Sequence, residues 1–218
     1  MIQVDYNNYN KNDYIDFSVD WLQIEDYEFK ILILTSVLAD ESLVFNGTLK
    51  TMCEWLDVKP TTSNNNNIKQ AIDKLTDNDY IDYLHKGHKY IITRTDKGAE
   101  KKIVAIRKCW IESLRNYKQQ IKEEELSISW IKLLKVFVYL CSNRKRLYTQ
   151  QEIADDLNIS KGIVGTALRV LPQCNLQGLR VIKHIDKAEF INNSGQKRTY
   201  NRGTEMIIGI EFEENKEN

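Results

Sequence analysis

The clearest pattern of apolar and polar positions lies between residues 149 and 171. Apolar residues recur there at helical steps and predict two short amphipathic helices: Ile153, Leu157, Val164, Ala167, Leu168 and Leu171. Between the two sets, Asn158 tolerates the left-handed conformation that ends a helix abruptly. Thr149 and Glu152 have the spacing of a capping box, and Ser160 is placed to cap the second helix. The stretch therefore predicts a helix, a tight turn and a second helix.

The outer face of the second predicted helix carries only small, polar or cationic residues. These residues are Ser160, Lys161, Gly162, Gly165, Thr166 and Arg169. Such a face suits a helix that enters the major groove of DNA. The stretch resembles the helix-turn-helix DNA-binding segments of bacterial regulators. The resemblance implies that this face reads base edges, with Gln150 beside it at the start of the first helix. The alternative is an ordinary helical hairpin in a core.

The flanking residues from 127 to 212 complete a predicted second domain. An almost wholly apolar helix around 130–140 is followed by a basic loop containing Arg144, Lys145 and Arg146. Two strands are predicted at 179–185 and 205–212. A polar loop between them carries Lys197, Arg198, Tyr200 and Arg202. We expect this loop to be a wing that contacts the DNA backbone or minor groove, and the alternative is a long mobile loop.

Residues 15–95 predict a first domain with the order helix, strand, helix, helix, strand, strand. This order resembles the N-terminal winged-helix domains of plasmid and phage replication initiators and replisome organisers of low-GC bacteria. Its candidate DNA contacts are Ser63, Asn64, Asn65 and Lys69 at the third helix, and Lys86 in the hairpin turn. Amides of this kind can pair with an adenine edge. A polar surface segment is the equal alternative.

A long helix is predicted to connect the two domains over residues 96–126. Apolar residues recur there at steps of three and four and form one stripe: Ala99, Ile103, Ile106, Trp110, Leu114, Tyr117 and Ile121. That stripe must be buried, either against both domains or against the same helix of another subunit. Residues 1–14 are expected to be a flexible N-terminus, and residues 213–218 an acidic tail.

Charge separates the two predicted domains, although the chain of 218 residues has a formal net charge of zero. Residues 1–60 carry 4 Lys and Arg against 11 Asp and Glu, whereas residues 127–210 carry 13 against 6. Phosphate binding needs local positive charge, which the second domain has. The acidity of the first domain favours a role in dimerisation or partner binding.

Several classes of protein are disfavoured by the sequence. The four cysteines are widely spaced and predict reduced thiols rather than a zinc site or disulfides. No phosphate-binding loop, nucleophile elbow or metalloprotease motif occurs, so we expect neither an enzyme nor a cofactor. The N-terminus is polar, and the longest apolar run is too short to span a bilayer. A cytoplasmic protein without membrane contact is therefore expected.

The sequence as a whole predicts a mainly α fold with small β-wings, an α+β protein. Two winged helix-turn-helix domains, 15–95 and 127–212, are joined by the long helix. The expected partner is double-stranded DNA, bound by a homodimer on repeats or a palindrome. The resemblance implies replication initiation or transcriptional control of a plasmid, phage or other mobile element, with replication or transcription proteins as further partners. The alternative is an interaction scaffold whose winged folds dock proteins.

Overall fold

The computed structural model describes residues 13–95, 102–119, 128–142, 148–176, 179–191 and 194–210. Within them the fold is α+β, with seven α-helices and small antiparallel sheets. The elements are β1 (Tyr14–Ser18), α1 (Asp26–Val37), β2 (Val44–Thr48), α2 (Leu49–Trp55), α3 (Thr62–Asp77), β3 (Ile81–Lys86), β4 (Lys89–Arg94), β5 (Ile103–Arg107), α4 (Lys108–Arg115), α5 (Trp130–Ser142), α6 (Gln150–Leu157), α7 (Lys161–Val170), β6 (Leu179–Ile191) and β7 (Lys197–Ile210). The chain divides into two compact units, the first ending at Lys108 and the second beginning at Cys109.

The core of the first unit is built around α1. Phe29 and the run from Ile31 to Leu34 are completely buried, because α1 is enclosed on several sides and packs against α3. α3 contributes four buried residues on one face: Ile68, Ala71, Ile72 and Leu75. The Lys74 ammonium meets the nearly buried Glu28 carboxylate at 2.7 Å and joins the two helices.

Two antiparallel sheets complete the first unit. One has the strand order β2-β4-β3, and β3 and β4 form the predicted hairpin through the turn at Gly87 and His88. The other pairs β1 with β5, with Ile15 opposite Ile106. β2 runs through Asn46 and Gly47, where the Phe45 ring occupies the space that a side chain on Gly47 would need.

The prediction of one long connecting helix over 96–126 is wrong within the described residues 102–119, because α4 ends at Arg115 and Tyr117–Gln119 form a 3-10 helix. Residues 103–107 form strand β5, and a helix begins only at Lys108. Ile106, Trp110, Leu114 and Tyr117 are buried as the stripe predicted, but Ile103 is 48% exposed. Residues 96–101 and 120–127 lie outside the described residues. Because β5 pairs with β1, the first unit extends beyond the predicted boundary at 95, and Tyr14 belongs to a strand rather than to the flexible N-terminus.

In the second unit, helices α5, α6 and α7 pack against one another. α5 is almost wholly buried, as its sequence predicted, and Trp110 of α4 meets Phe137 edge-on with ring centroids 6.1 Å apart. The Ser113 hydroxyl donates to the Asn175 carbonyl at 2.6 Å, which ties α4 to the segment after α7. Residues 211–218, including the predicted acidic tail, lie outside the described residues.

β6 and β7 form a two-stranded antiparallel hairpin that is much longer than predicted. The sequence placed a loop over 192–203, but β6 continues to Ile191 and β7 begins at Lys197. With 13 residues in β6, the hairpin is roughly 40 Å long. Asp186 pairs with Gly203 and Lys187 with Asn201, so Arg202 is the extra residue of a β-bulge.

Candidate nucleic-acid interface

The turn between α6 and α7 is fixed by the residues that the sequence singled out. Thr149 and Glu152 form a reciprocal capping box, with the Thr149 hydroxyl accepting from the Glu152 N–H at 3.1 Å and the Glu152 carboxylate accepting from the Thr149 N–H at 2.7 Å. Asn158 adopts the left-handed conformation at φ 51°. The Ile159 N–H then donates to the Ala154 carbonyl at 3.0 Å, which closes the helix end. The direction in which α7 leaves the turn is therefore set locally.

α7 has a buried side and an exposed side. Val164, Ala167, Leu168 and Leu171 have no exposed surface, and together they fix the rotation of the helix about its axis. Lys161, Gly162 and Arg169 are exposed, while Thr166 is half-buried. The residues Gly162, Thr166, Arg169 and Gln173 follow at steps of four, three and four and form one stripe.

Hydrogen bonds organise the exposed stripe. The Thr166 hydroxyl donates to the Gly162 carbonyl at 3.0 Å, and Arg169 Nη2 donates to the Thr166 hydroxyl at 3.5 Å. Gln173 Nε2 donates to the Arg169 carbonyl at 3.0 Å. Gln173 is exposed but was not among the predicted site residues, although its spacing of four from Arg169 signals the same face. The Arg169 guanidinium is thus held over the stripe with donors left for a ligand.

Two predicted contact residues of this motif also have structural roles. The Ser160 hydroxyl accepts from the Ile163 N–H at 3.3 Å and caps α7. Gly165 is half-buried, and a Cβ there would lie 3.3 Å from Gln150 Oε1, so the missing side chain lets the two helices approach. Gly162, in contrast, is open, because a Cβ added there would meet only one described atom within 4 Å, the Ser160 hydroxyl at 3.9 Å.

The exposed side of α7 carries positive charge and no negative charge. No Asp or Glu occurs in the sequence between Asp156 and Asp186, whereas Lys161 and Arg169 both lie on the exposed side of α7. Burial raises the pKa of the nearby Cys174 thiol to about 12, so this cysteine stays neutral and adds no negative charge at neutral pH.

The hairpin carries further cations of the second unit. Lys197 and Arg198 are exposed at the start of β7. Lys197 Nζ lies 3.0 Å from Glu189 Oε2, so its charge is partly offset. The backbone places Tyr200 and Arg202 further along β7, and Arg144, Lys145 and Arg146 lie outside the described residues. Ile191 is 67% exposed at the end of β6, which the sequence did not single out.

Two of the candidate DNA contacts in the first unit, Asn64 and Asn65, make hydrogen bonds within that unit. Thr61 caps α3, and its hydroxyl accepts from the Asn64 N–H at 3.2 Å. The Asn64 amide donates to the Lys59 carbonyl at 2.8 Å, and Asn65 Oδ1 accepts from the Cys53 thiol at 3.5 Å. Both asparagines are half-buried, and their side chains bond to residues of α2 and of the segment between α2 and α3. These bonds hold that segment in place.

The other predicted residues of the first unit are accessible but dispersed. Ser63 and Lys69 are exposed on α3, and Lys86 is exposed at the end of β3. Asp73 and Asp77 are also exposed on α3, so this helix lacks the uniform cationic character of α7.

No protein-family model, curated protein or solved structure matches this chain. Within the described ranges, no cluster of three or more His, Cys, Asp or Glu side chains could hold a metal ion. No helix in the same ranges combines the length and apolar character that a bilayer crossing requires.

Proposed function

We propose that this chain binds double-stranded DNA through its second unit, with α7 in the major groove and the β6–β7 hairpin against the backbone or an adjacent minor groove. The observation that carries the proposal is the exposed stripe of α7, which is small at Gly162, polar at Thr166 and Gln173, and cationic at Arg169. An arginine in the major groove can donate two hydrogen bonds to a guanine. The absence of a side chain at Gly162 allows the helix to approach the bases closely.

The order of elements supports a winged helix-turn-helix in the second unit. Three mutually packed helices, α5 to α7, precede a two-stranded hairpin, and α7 is the third helix as a recognition helix requires. The capped turn at Asn158 and Ser160 provides the sharp change of direction between α6 and α7. The hairpin then takes the role of the wing, with Lys197 and Arg198 near its tip.

A second winged helix is proposed for the first unit. Its elements follow the order α1, β2, α2, α3, β3, β4, and β2 pairs with the second strand of the hairpin. We propose that this unit serves association rather than base reading, because the amides of Asn64 and Asn65 are engaged locally and α3 exposes Asp73 and Asp77.

The biological role that we propose is replication initiation or transcriptional control of a plasmid, phage or other mobile element. It rests on the resemblance of the element order to replication initiators and replisome organisers. A non-enzymatic, cytoplasmic homodimer that binds repeated or palindromic sites fits this role. The local geometry of α7 supports the DNA contact.

The deciding experiment is selection of bound sequences from a random duplex pool, followed by titration of the selected duplex by fluorescence anisotropy. We expect Arg169→Ala to cost about 1–3 kcal/mol on that duplex and to relax preference at one base pair. Lys118→Ala is the matched control, because Lys118 is an exposed cation of the same unit outside the proposed interface. It should leave affinity nearly unchanged.

Salt dependence separates the role of the hairpin from that of α7. Lys197→Ala should weaken binding to all duplexes alike and reduce the slope of log K against log salt by about one. Equal, weak binding to all duplexes by the wild type, by Arg169→Ala and by a variant neutralised at Lys197, Arg198 and Arg202 would contradict the proposal. That result would favour the protein-docking scaffold.

A further inference from the structure

Among the described residues, strand β3 leaves one edge of the three-stranded sheet without a paired strand. It is the end strand of that sheet, and all of its residues except Ile81 are exposed. Leu84 is 55% exposed and Tyr83 is 38% exposed, so this edge carries apolar surface as well as charge. Edge strands present N–H and C=O groups that can pair with another strand.

The turn determines which backbone groups point away from the sheet. Gly87 and His88 form a two-residue turn with positive φ at Gly87, and Lys86 pairs with Lys89. The closing pair of such a hairpin is hydrogen-bonded, and the pattern alternates along an antiparallel ladder. Asp82, Leu84 and Lys86 therefore bond to β4, whereas Ile81, Tyr83 and His85 direct their N–H and C=O groups outward. Within the described residues, no hydrogen bond reaches the outward N–H of Tyr83 or His85.

Alternation also restricts how β3 can pair with an identical strand. In an antiparallel ladder, opposed residues must both point their backbone groups towards the partner or both away from it. A symmetric pair must therefore be centred on a residue rather than between two residues. If the pair is centred on Tyr83, Lys86 lies opposite Tyr80 of the second copy, and if it is centred on His85, Lys86 lies opposite Leu84. Neither arrangement gives Lys86 an acidic partner. Centring on Leu84 places each Asp82 directly opposite Lys86 of the second copy and Leu84 opposite itself.

We propose that two copies of this chain associate through β3, antiparallel about a two-fold axis at Leu84. The two Leu84 side chains meet at a non-hydrogen-bonded position, where Cα atoms lie about 4.5 Å apart. Tyr83 and His85 exchange backbone hydrogen bonds across the axis, and two Asp82–Lys86 pairs flank the leucines. The sheet becomes continuous over six strands. The association is isologous, so it closes at two copies.

The neighbouring strand extends the apolar contact. Ile91 lies opposite Leu84 on β4 and is half-buried, so the outer face of the sheet offers an apolar centre between charges of opposite sign. Charges at a sheet edge commonly prevent pairing. Here their positions are complementary under two-fold symmetry, because Asp82 and Lys86 are equally distant from Leu84. The inference does not depend on DNA binding.

Sedimentation of the full chain without DNA tests the register through two charge variants. Asp82→Lys places lysine opposite lysine, and Lys86→Asp places aspartate opposite aspartate, so each variant alone should raise the dissociation constant roughly 10- to 30-fold at low salt. A mixture of the two variants restores opposite charges at both positions. It should therefore form a heterodimer with an affinity close to that of the wild type.

Two further measurements keep the test independent of folding. Leu84→Lys should abolish the dimer, whereas Ile103→Lys is the control, because Ile103 is a similarly exposed apolar strand residue at 48%. Amide exchange at Tyr83 and His85 should slow as protein concentration rises. A wild type that stays monomeric at about 100 µM, well above the dissociation constant of a specific dimer, or a dimer unaffected by Leu84→Lys, would overturn the proposal. Failure of the mixed variants to associate would overturn the register.

Discussion

Replacing Gly162 by alanine should separate the stability of α7 from its proposed contact with DNA. Gly162 is exposed in the first turn of the helix, and an added Cβ would have only the Ser160 hydroxyl nearby, at 3.9 Å. Glycine within a helix is less favourable than alanine by about 0.5–1 kcal/mol. Because nothing in the structure opposes the methyl group, Gly162→Ala should raise the free energy of unfolding of the second unit by about 0.5 kcal/mol.

The same methyl group should weaken DNA binding. In the proposed complex it projects from the face that enters the major groove, where overpacking of a close contact costs about 1–3 kcal/mol. Stability and affinity should therefore change in opposite directions. Urea unfolding followed by circular dichroism measures the first quantity, and anisotropy with the selected duplex measures the second.

Gly165→Ala is the matched comparison. A Cβ at Gly165 would lie 3.3 Å from Gln150 Oε1, so the Gln150 amide must move and the gain in stability should be smaller. If Gly162→Ala stabilises the unit but leaves affinity for the selected duplex unchanged, α7 does not approach DNA through this face. If it destabilises the unit, the steric argument itself is refuted.

Two other predictions concern the turn and the pH dependence. Asn158 has φ 51°, so Asn158→Ala should cost about 1–2 kcal/mol in urea unfolding while Asn158→Gly costs little; equal losses for both would contradict a backbone origin. The Tyr83 hydroxyl donates to Asp73 at 3.0 Å, and this hydrogen bond, with burial and the carboxylate charge, raises the pKa of Tyr83. Because the folded-state pKa is raised, the stabilisation is complete below about pH 10 and is lost as pH rises through the folded pKa. Asp73→Asn should lower the Tyr83 pKa, measured by ¹³C NMR of that ring, and an unchanged titration would refute the coupling.

Local chemistry explains why the turn between α6 and α7 could be predicted from sequence. The capping box of Thr149 and Glu152, the left-handed Asn158 and the cap at Ser160 involve residues only a few positions from their partners. Their hydrogen bonds depend little on the rest of the chain. The buried face of α7 could also be predicted, because apolar residues at steps of three and four lie on one side of a helix.

Strand β5 could not be predicted because its decisive contact is distant in sequence. Ile103 and Ile106 fit a helical stripe, but Ile106 pairs with Ile15 of β1 across the start of the first unit. Periodicity in a short apolar segment cannot distinguish these outcomes. The hairpin was underestimated for a related reason. Polar residues such as Lys197 and Asn201 are uncommon in strands, yet they extend β7 because β6 offers a partner for their backbone groups.

The pairing of β1 with β5 decides how the first unit can be cut from the chain for separate study. A fragment ending at residue 95 would lack β5, the strand that pairs with β1. The buried side chains of Ile15 and Phe17 on β1 would then become more exposed to solvent. A fragment spanning 13–108 retains both strands. Its two termini then lie in or beside neighbouring strands, so a short linker could join them and new ends could be opened at the exposed Gly87 turn.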